Sequence, residues 1–288
     1  VAGEGRAEEE LEISGAPPLS RPHFPVYPNV PLSFTALNLF VECPARFYAS
    51  RVLRLDDDQE DSTTFDPERQ SLIDPDRATR FGSAVHDILE KLANRRWPRE
   101  LDRNLVTDCL SARGFDPDDS ERIGLATRFV EGFLGSDLGF RVREVENSAE
   151  LPLIIRVGGV TIRGFADLIL DSEPPMVLDY KTNRLDGRTP AQMGSYELQR
   201  DLYSLAVARS SGSGTVESAF VFLEEPNNPV LETFDAAGVA DAEARVEDTL
   251  TDITEGRFFG GPQAVNKPCG ECWACETLSA QRDRALTG

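Results

Sequence analysis

Apolar residues recur at helical spacing near the start of the chain. Over FTALNLFVEC, Leu37, Phe40 and Val41 share one face behind Ser33, whose hydroxyl suits a helix N-cap. A second helical stretch, ARFYASRVLRL, follows Pro44, so that Cys43 lies at the joint. The strongest helical stripe is Phe81, Val85, Ile88, Leu89 and Leu92 in RFGSAVHDILEKLANRRW. Between these, DDDQEDSTTFDPERQSLIDPD is polar and rich in Asp and Pro and reads as a loop. Residues 101–142 carry two weaker helical patterns broken at Gly114-Phe115-Asp116-Pro117, which predicts a small helical insertion. From about residue 148 the period falls to two: ELPLIIRV, VTIRGFADLIL and MVLDYKT are β-rich runs separated by Gly158-Gly159 and by Ser172-Glu173-Pro174-Pro175. A helix at about 190–210, strands ESAFVFLEE and VLETFD, a helix at about 237–255 and a cysteine-bearing tail complete the pattern. Helices flanking one mixed sheet predict an α/β or α+β domain over residues 31–288. Residues 1–30 hold five prolines and an acidic run, which predicts a linker or extended arm.

An apolar fraction of 40% over 288 residues supplies a real core. No apolar run approaches the ~20 residues that cross a bilayer, and VAGEGRAEEELE lacks the plan of a signal peptide, so the expectation is a soluble, cytoplasmic chain with no membrane partner. The start at Val1 suggests a piece of a longer polypeptide. A net charge of −20 opposes non-specific binding to a polyanion. Locally the balance reverses: residues 77–99 carry six basic and two acidic side chains, and residues 31–55 three and one.

Of five cysteines, Cys269, Cys272 and Cys275 cluster in CGECWAC and Cys43 sits in ECPARFY. Thiolates so spaced converge on a soft metal centre more readily than they build a disulfide framework, and three of them need a fourth ligand. Cys109, in an amphipathic helical pattern, reads as a buried apolar residue.

Asp167 lies near the end of one predicted strand and Asp179 twelve residues later in the next, followed by Tyr180 and Lys181. If the two strands pair through the 171–175 turn, both carboxylates and the ammonium emerge at one end of the sheet. Two close carboxylates repel, and a hard divalent cation relieves the repulsion; Lys181, on the same strand face as Asp179, can orient a water. From spacing alone, two solvated strand-end aspartates beside a surface lysine are the simpler reading. His86 follows Gly82 by one helical turn and precedes Glu90 by another, on a face beside the apolar stripe, where the imidazole can reach a metal or simply serve the structure. Tyr196, Gln199 and Tyr203 recur along the next helix beside the packing stripe Leu198, Leu202 and Leu205.

In this order the segments SFTALNLFVECPARFY, GSAVHDILE, GFADLIL, DYKT and YELQRDLY, closed by the CxxCxxC tail, resemble the RecB-like branch of the PD-(D/E)xK nucleases. Within it they resemble the iron–sulfur subgroup of AddB-type and Adn-type helicase–nuclease C-terminal domains and of CRISPR-associated exonucleases. The resemblance runs from about residue 33 to 275 and implies a restriction-endonuclease-like core, a central mixed sheet flanked by helices. It implies that His86, Asp167, Asp179 and the carbonyl of Tyr180 bind Mg²⁺ or Mn²⁺, that Lys181 positions the attacking water and that Glu90 supports them. Gln199 and Tyr203, with Tyr196 beside them, are implied to hold the DNA strand. Cys43, Cys269, Cys272 and Cys275 are implied to hold a [4Fe–4S] cluster that staples the N-terminal helix to the C-terminal tail; the short spacing to Cys275 departs from the family and leaves a tetrathiolate Zn²⁺ open. The implied activity is metal-dependent hydrolysis of single-stranded DNA or DNA ends, exonucleolytic rather than endonucleolytic. It belongs to the nuclease domain of a helicase–nuclease in DNA end resection and recombinational repair, with a helicase domain or subunit as partner. A stand-alone CRISPR-type exonuclease and a non-catalytic, cluster-stapled DNA-binding or docking module are the alternatives.

Overall fold

The computed structural model describes residues 31–55, 75–193, 196–260 and 265–278. The proline-rich arm and nearly all of the acidic loop predicted over 56–76 lie outside them.

Helix α1 (Phe34–Glu42) starts as its sequence requires, with the Ser33 hydroxyl accepting from the amide of Ala36 at 3.0 Å. Cys43 ends α1 and caps α2 (Pro44–Phe47), which continues into a wider π-helical turn over Tyr48–Val52. Helix α3 (Pro75–Asn94) begins about one turn before the predicted start, because Pro75 is tolerated where a helix has no amide to pair. Helices α4 (Arg103–Ala112), α5 (Ser120–Leu134) and α6 (Asp137–Glu144) follow, with Asp102, Asp119 and Ser136 as side-chain caps.

Six strands form one mixed sheet. Two-residue β1 (Leu32–Ser33) runs parallel to β3 (Val160–Leu170), and β2 (Asn147–Val157) pairs antiparallel with β3 along its length, save at Glu150, through the Gly158-Gly159 turn. Both turn glycines have positive φ. β4 (Met176–Lys181) pairs antiparallel with β3, then parallel with β5 (Val216–Phe222), and β6 (Val230–Phe234) closes the far edge antiparallel to β5. The parallel β4–β5 step is bridged by α7 (Glu197–Ser211), and α8 (Ala236–Thr254) packs against α7. There the Asp201 carboxylate, buried in α7, accepts both guanidinium bonds of Arg245 on α8 at 2.7 and 2.8 Å.

Two apolar cores sandwich the sheet. On one face Leu37, Phe40, Leu202, Leu205 and Phe258 pack against Ile155, Ile162, Val177 and Phe220. On the other, Ile88, Leu92, Val106, Leu110 and Phe133 pack against Leu168, Leu170, Leu178 and Val221. The helices over 103–144 thus form much of the second layer rather than standing apart from it.

Gly164 on β3 lies beneath the ring of Phe34, where a Cβ would stand 2.4 Å from ring carbons. Gly164→Ala is expected to destabilise the fold by about 1–3 kcal/mol through overpacking. Urea denaturation measures this, and Phe34→Leu in the same chain should recover part of the loss.

Candidate active site

β3 and β4 stay paired only from Leu168 to Leu170 and from Met176 to Leu178. One step further the register sets Asp167 opposite Asp179, and there the ladder ends. The Tyr180 amide donates instead to Asp167 Oδ2 at 2.7 Å. Asp167 also marks a change of face along β3: Val160, Ile162 and Ala166 enter the first core, Leu168 and Leu170 the second. Across the hairpin Glu150 sits at the same level with φ +48°, and on β2 the inward positions switch there too. Where β3 kinks, a cleft lies between β2, β3 and α3, and Asp167 lines it.

Asp179 is 4% exposed; its Oδ1 is hydrogen-bonded, while its Oδ2 has an ion pair but no hydrogen bond and is open to a cation. Its Oδ2 lies 2.6 Å from Lys181 Nζ, and its Oδ1 accepts from Gln199 Nε2 and Tyr203 Oη, each at 2.8 Å. Burial pushes the Asp179 carboxyl above its ordinary value, against the opposing pull of Lys181. The ammonium of Lys181 also donates to Gln199 Oε1 at 3.0 Å and lies over the rings of Tyr196 and Phe220 at 4.5 and 5.0 Å. Gln199 and Tyr203, one turn apart on α7, are thus bound to Asp179 itself. Tyr203 is 3% exposed, whereas Tyr196 at the head of α7 is half-buried. Burial raises the Tyr203 hydroxyl well above its usual value.

Helix α3 brings His86 to the other side of Asp167. Gly82 permits the approach, since a Cβ there would meet Thr182 Oγ1 at 2.8 Å. The imidazole Nε2 lies 3.0 Å from the Tyr180 carbonyl and Nδ1 3.3 Å from Asp167 Oδ1. Both ring nitrogens face acceptors, which suits an imidazolium. Burial lowers its pKa, but the charge and hydrogen bond of Asp167, aided by Asp179, outweigh this and raise it to about 9. The Tyr180 side chain lies in the second core, edge-on to Phe133, so it is the backbone amide and carbonyl of Tyr180 that serve the site. Glu90 lines the same cleft of about 370 Å³ with His86, Asp167, Glu150, Gly82, Ser83, Asp87 and Arg113.

Glu150 was not among the residues singled out from the sequence. Its ligand oxygen, an imidazole nitrogen of His86 and a carboxylate oxygen of Asp167 all lie within 4.8 Å of one another. The signal was available, because a two-residue Gly158-Gly159 turn pairs Val157 with Val160 and, counted back, sets Glu150 opposite Asp167. Burial and the Asp167 charge raise the Glu150 carboxyl. An imidazole, carboxylate oxygens and a backbone carbonyl around one cleft fit a hard divalent cation such as Mg²⁺ or Mn²⁺. Lys181, held beside Asp179, supplies a fixed ammonium for a water or an anionic oxygen.

The second constellation joins the ends of the chain. Cys43 Sγ lies 3.7 Å from Cys272 Sγ and 3.5 Å from Cys275 Sγ, and Cys269 Sγ lies 3.9 Å from Cys275 Sγ. The amides of Cys269 and Gly270 point at the sulfurs of Cys43 and Cys275 at 3.4 and 3.3 Å. Amide donation from Glu271 lowers the Cys269 thiol to about 7, while burial pushes Cys275 up to about 12. The tail reaches this place because buried Asp252 accepts from Arg257 and from the amide of Val265 at 2.7 and 2.8 Å. Phe258 stacks on Phe47 and Tyr48 beneath it. These separations match the ~3.8 Å edge of a tetrahedron with ~2.3 Å metal–sulfur bonds. The set fits one soft ion as it stands and a larger cluster only after the sulfurs spread. Cys109 is buried elsewhere, its sulfur 3.3 Å from Lys91 Nζ.

Among the described residues no helix is long and apolar enough to cross a membrane. No curated protein matches the chain. Among solved structures it is similar to a protein of Eubacterium rectale described as a putative exonuclease, at 12% identity and a TM-score of 0.50, over 86% of this chain and 87% of that one. The structure of SSO0001 aligns at 16% identity over 64% of this chain and 81% of that one, but its TM-score of 0.27 carries no weight. Residues 31–277, which hold both the Asp167–Asp179–Lys181 group and the four-cysteine staple, match the family described as the PD-(D/E)XK nuclease superfamily, and the chain belongs to that superfamily.

Proposed function

We propose that the protein is a Mg²⁺- or Mn²⁺-dependent deoxyribonuclease acting on single strands or DNA ends, as the nuclease domain of a helicase–nuclease in end resection and recombinational repair. The observation that carries this reading is the meeting of Asp167, Asp179, Lys181, His86 and the Tyr180 carbonyl at the split between β3 and β4. A divalent cation bound there would activate water and offset charge on a phosphodiester. His86, Asp167, Asp179 and the Tyr180 carbonyl hold it, with Glu150 and Glu90 adding negative charge around the cleft. His86, whose two nitrogens face acceptors, would have to give up a proton to serve as a ligand. Lys181, fixed between Asp179 and the Tyr196 ring, orients the attacking water. Gln199 and Tyr203 act through Asp179 and Lys181, keeping carboxylate and ammonium in register, while half-buried Tyr196 faces the DNA strand.

The four thiolates hold a soft metal centre that ties α1 to the tail. The family resemblance points to [4Fe–4S]; the sulfur separations favour a single tetrahedral ion such as Zn²⁺.

Asp167→Asn, Asp179→Asn and Lys181→Gln are expected to lower Mn²⁺-dependent cleavage of single-stranded DNA by about 10²-fold or more, with unchanged circular dichroism. Wild-type protein that cuts no DNA, or variants that cut as wild type does, would refute the assignment. Elemental analysis of anaerobically purified protein should give either about four irons and a brown colour or one zinc and none. Either metal should be lost in Cys43→Ala and Cys272→Ala and kept in Cys109→Ala. Metal retained in Cys43→Ala would remove that residue from the ligand set.

The imidazole also makes stability depend on pH. A folded pKa of about 9, above the ordinary 6.5, means that His86 stabilises the metal-free fold fully below pH 6.5 and that this contribution is lost as pH rises through 9. The melting temperature of metal-free protein should therefore fall between pH 6.5 and 9, and His86→Gln should flatten that fall.

A further inference from the structure

We propose that the outward face of the β2–β3 hairpin is a stacking platform that guides single-stranded DNA into the cleft, an inference that rests on the nuclease reading and names where its substrate lies. Along this hairpin one face enters the first core through Leu153, Ile155, Val157, Val160 and Ile162. The opposite face is built from the cross-strand pairs Pro152–Phe165, Ile154–Arg163 and Arg156–Thr161. Among the described residues nothing covers its centre: Ile154 is 72% exposed and Phe165 60%.

Three features choose a nucleic-acid occupant over an apolar protein surface. The first is charge. Arg156 and Arg163 are exposed, and neither guanidinium pairs with a carboxylate among the described residues, in a chain whose net charge is −20. Unneutralised cations of this kind are what a phosphate backbone replaces its counterions with. The second is position. Phe165 precedes Asp167 by two residues on the same strand, about 7 Å at the usual strand rise, and Arg163 lies about 7 Å beyond it, which suits a few successive nucleotides. The third is rigidity. The Tyr203 hydroxyl shares its proton between Asp179 Oδ1 and the Phe165 carbonyl, at 2.8 and 3.1 Å, and the Phe34 ring fills the space under Gly164 against Tyr203. The exposed ring is thereby tied to the same hub as the buried carboxylate. A flat, sequence-indifferent aromatic surface beside cations is the chemistry that holds unpaired bases.

The test is fluorescence anisotropy of a labelled oligothymidylate titrated with the whole chain in Ca²⁺, so that affinity is read without cleavage. Phe165→Ala should weaken binding about 5- to 150-fold, the range of one lost base stack, with an unchanged thermal midpoint because the ring is on the surface. Phe165→Trp should bind as wild type does and show Trp quenching on DNA addition. The double variant Arg156→Gln/Arg163→Gln should make the slope of log affinity against log salt shallower by about 1.4. Wild-type affinity in Phe165→Ala, or an unquenched Phe165→Trp, would overturn the platform; the face would then serve another partner. Cleavage by wild type in Mn²⁺ is scored separately: its absence would sink the nuclease reading, while the anisotropy series alone decides the platform.

Discussion

A carboxylate buried as deeply as Asp179 costs several kcal/mol unless its charge is matched and its oxygens are bonded. Much of the site's architecture answers that demand. Lys181 supplies the charge from two residues along the same strand, and Gln199 and Tyr203 supply donors from α7. For α7 to present both, the chain must cross over the sheet face after β4, and that crossover makes β4 and β5 parallel in an otherwise mostly antiparallel sheet. Tyr196 and Phe220 then lie beneath the ammonium, where a second carboxylate would have been redundant. Asp167 stands where β3 kinks away from β4, so the two carboxylates approach without sharing a ladder position.

The staple solves a different problem. β1 and α1 sit at the edge of the first core, and the segment after α8 is held by one buried aspartate and a group of aromatic rings. Drawing Cys43 toward residues 269–275 closes a loop of more than two hundred residues, and a metal bound to folded thiolates stabilises the closed form by its binding free energy. α1 also carries Phe34, whose ring lies against Gly164 on β3, three residues before Asp167. The cysteines can in this way support the cleft without touching it.

The sequence carried most of the fold because its helical stripes and alternating strands are local signals: the stripe through Ile88 and the alternation through Ile162 need no tertiary information. That Asp167 and Asp179 would meet at one end of the sheet also followed from spacing across the turn. Burial did not. Tyr196, Gln199 and Tyr203 read alike as an aromatic–amide stripe, and only the packing of α7 on β4 separates a 3% exposed Tyr203 from a half-buried Tyr196. Glu150 was legible through the Gly158-Gly159 turn but drew no notice, because an acid opening a strand resembles any solvated strand end. The extent of the second helical layer over 103–144 was hidden as well, since weak periodicity does not say how much of a helix faces a core.

On the nuclease reading, one divalent cation would sit between α3 and the β3–β4 split. A crystal of the protein soaked in Mn²⁺ and recorded at the manganese edge tests it most directly. An anomalous peak is expected within coordinating distance of His86, Asp167, Asp179 and the Tyr180 carbonyl. A peak elsewhere, or none at Mn²⁺ concentrations that support cleavage, would contradict it.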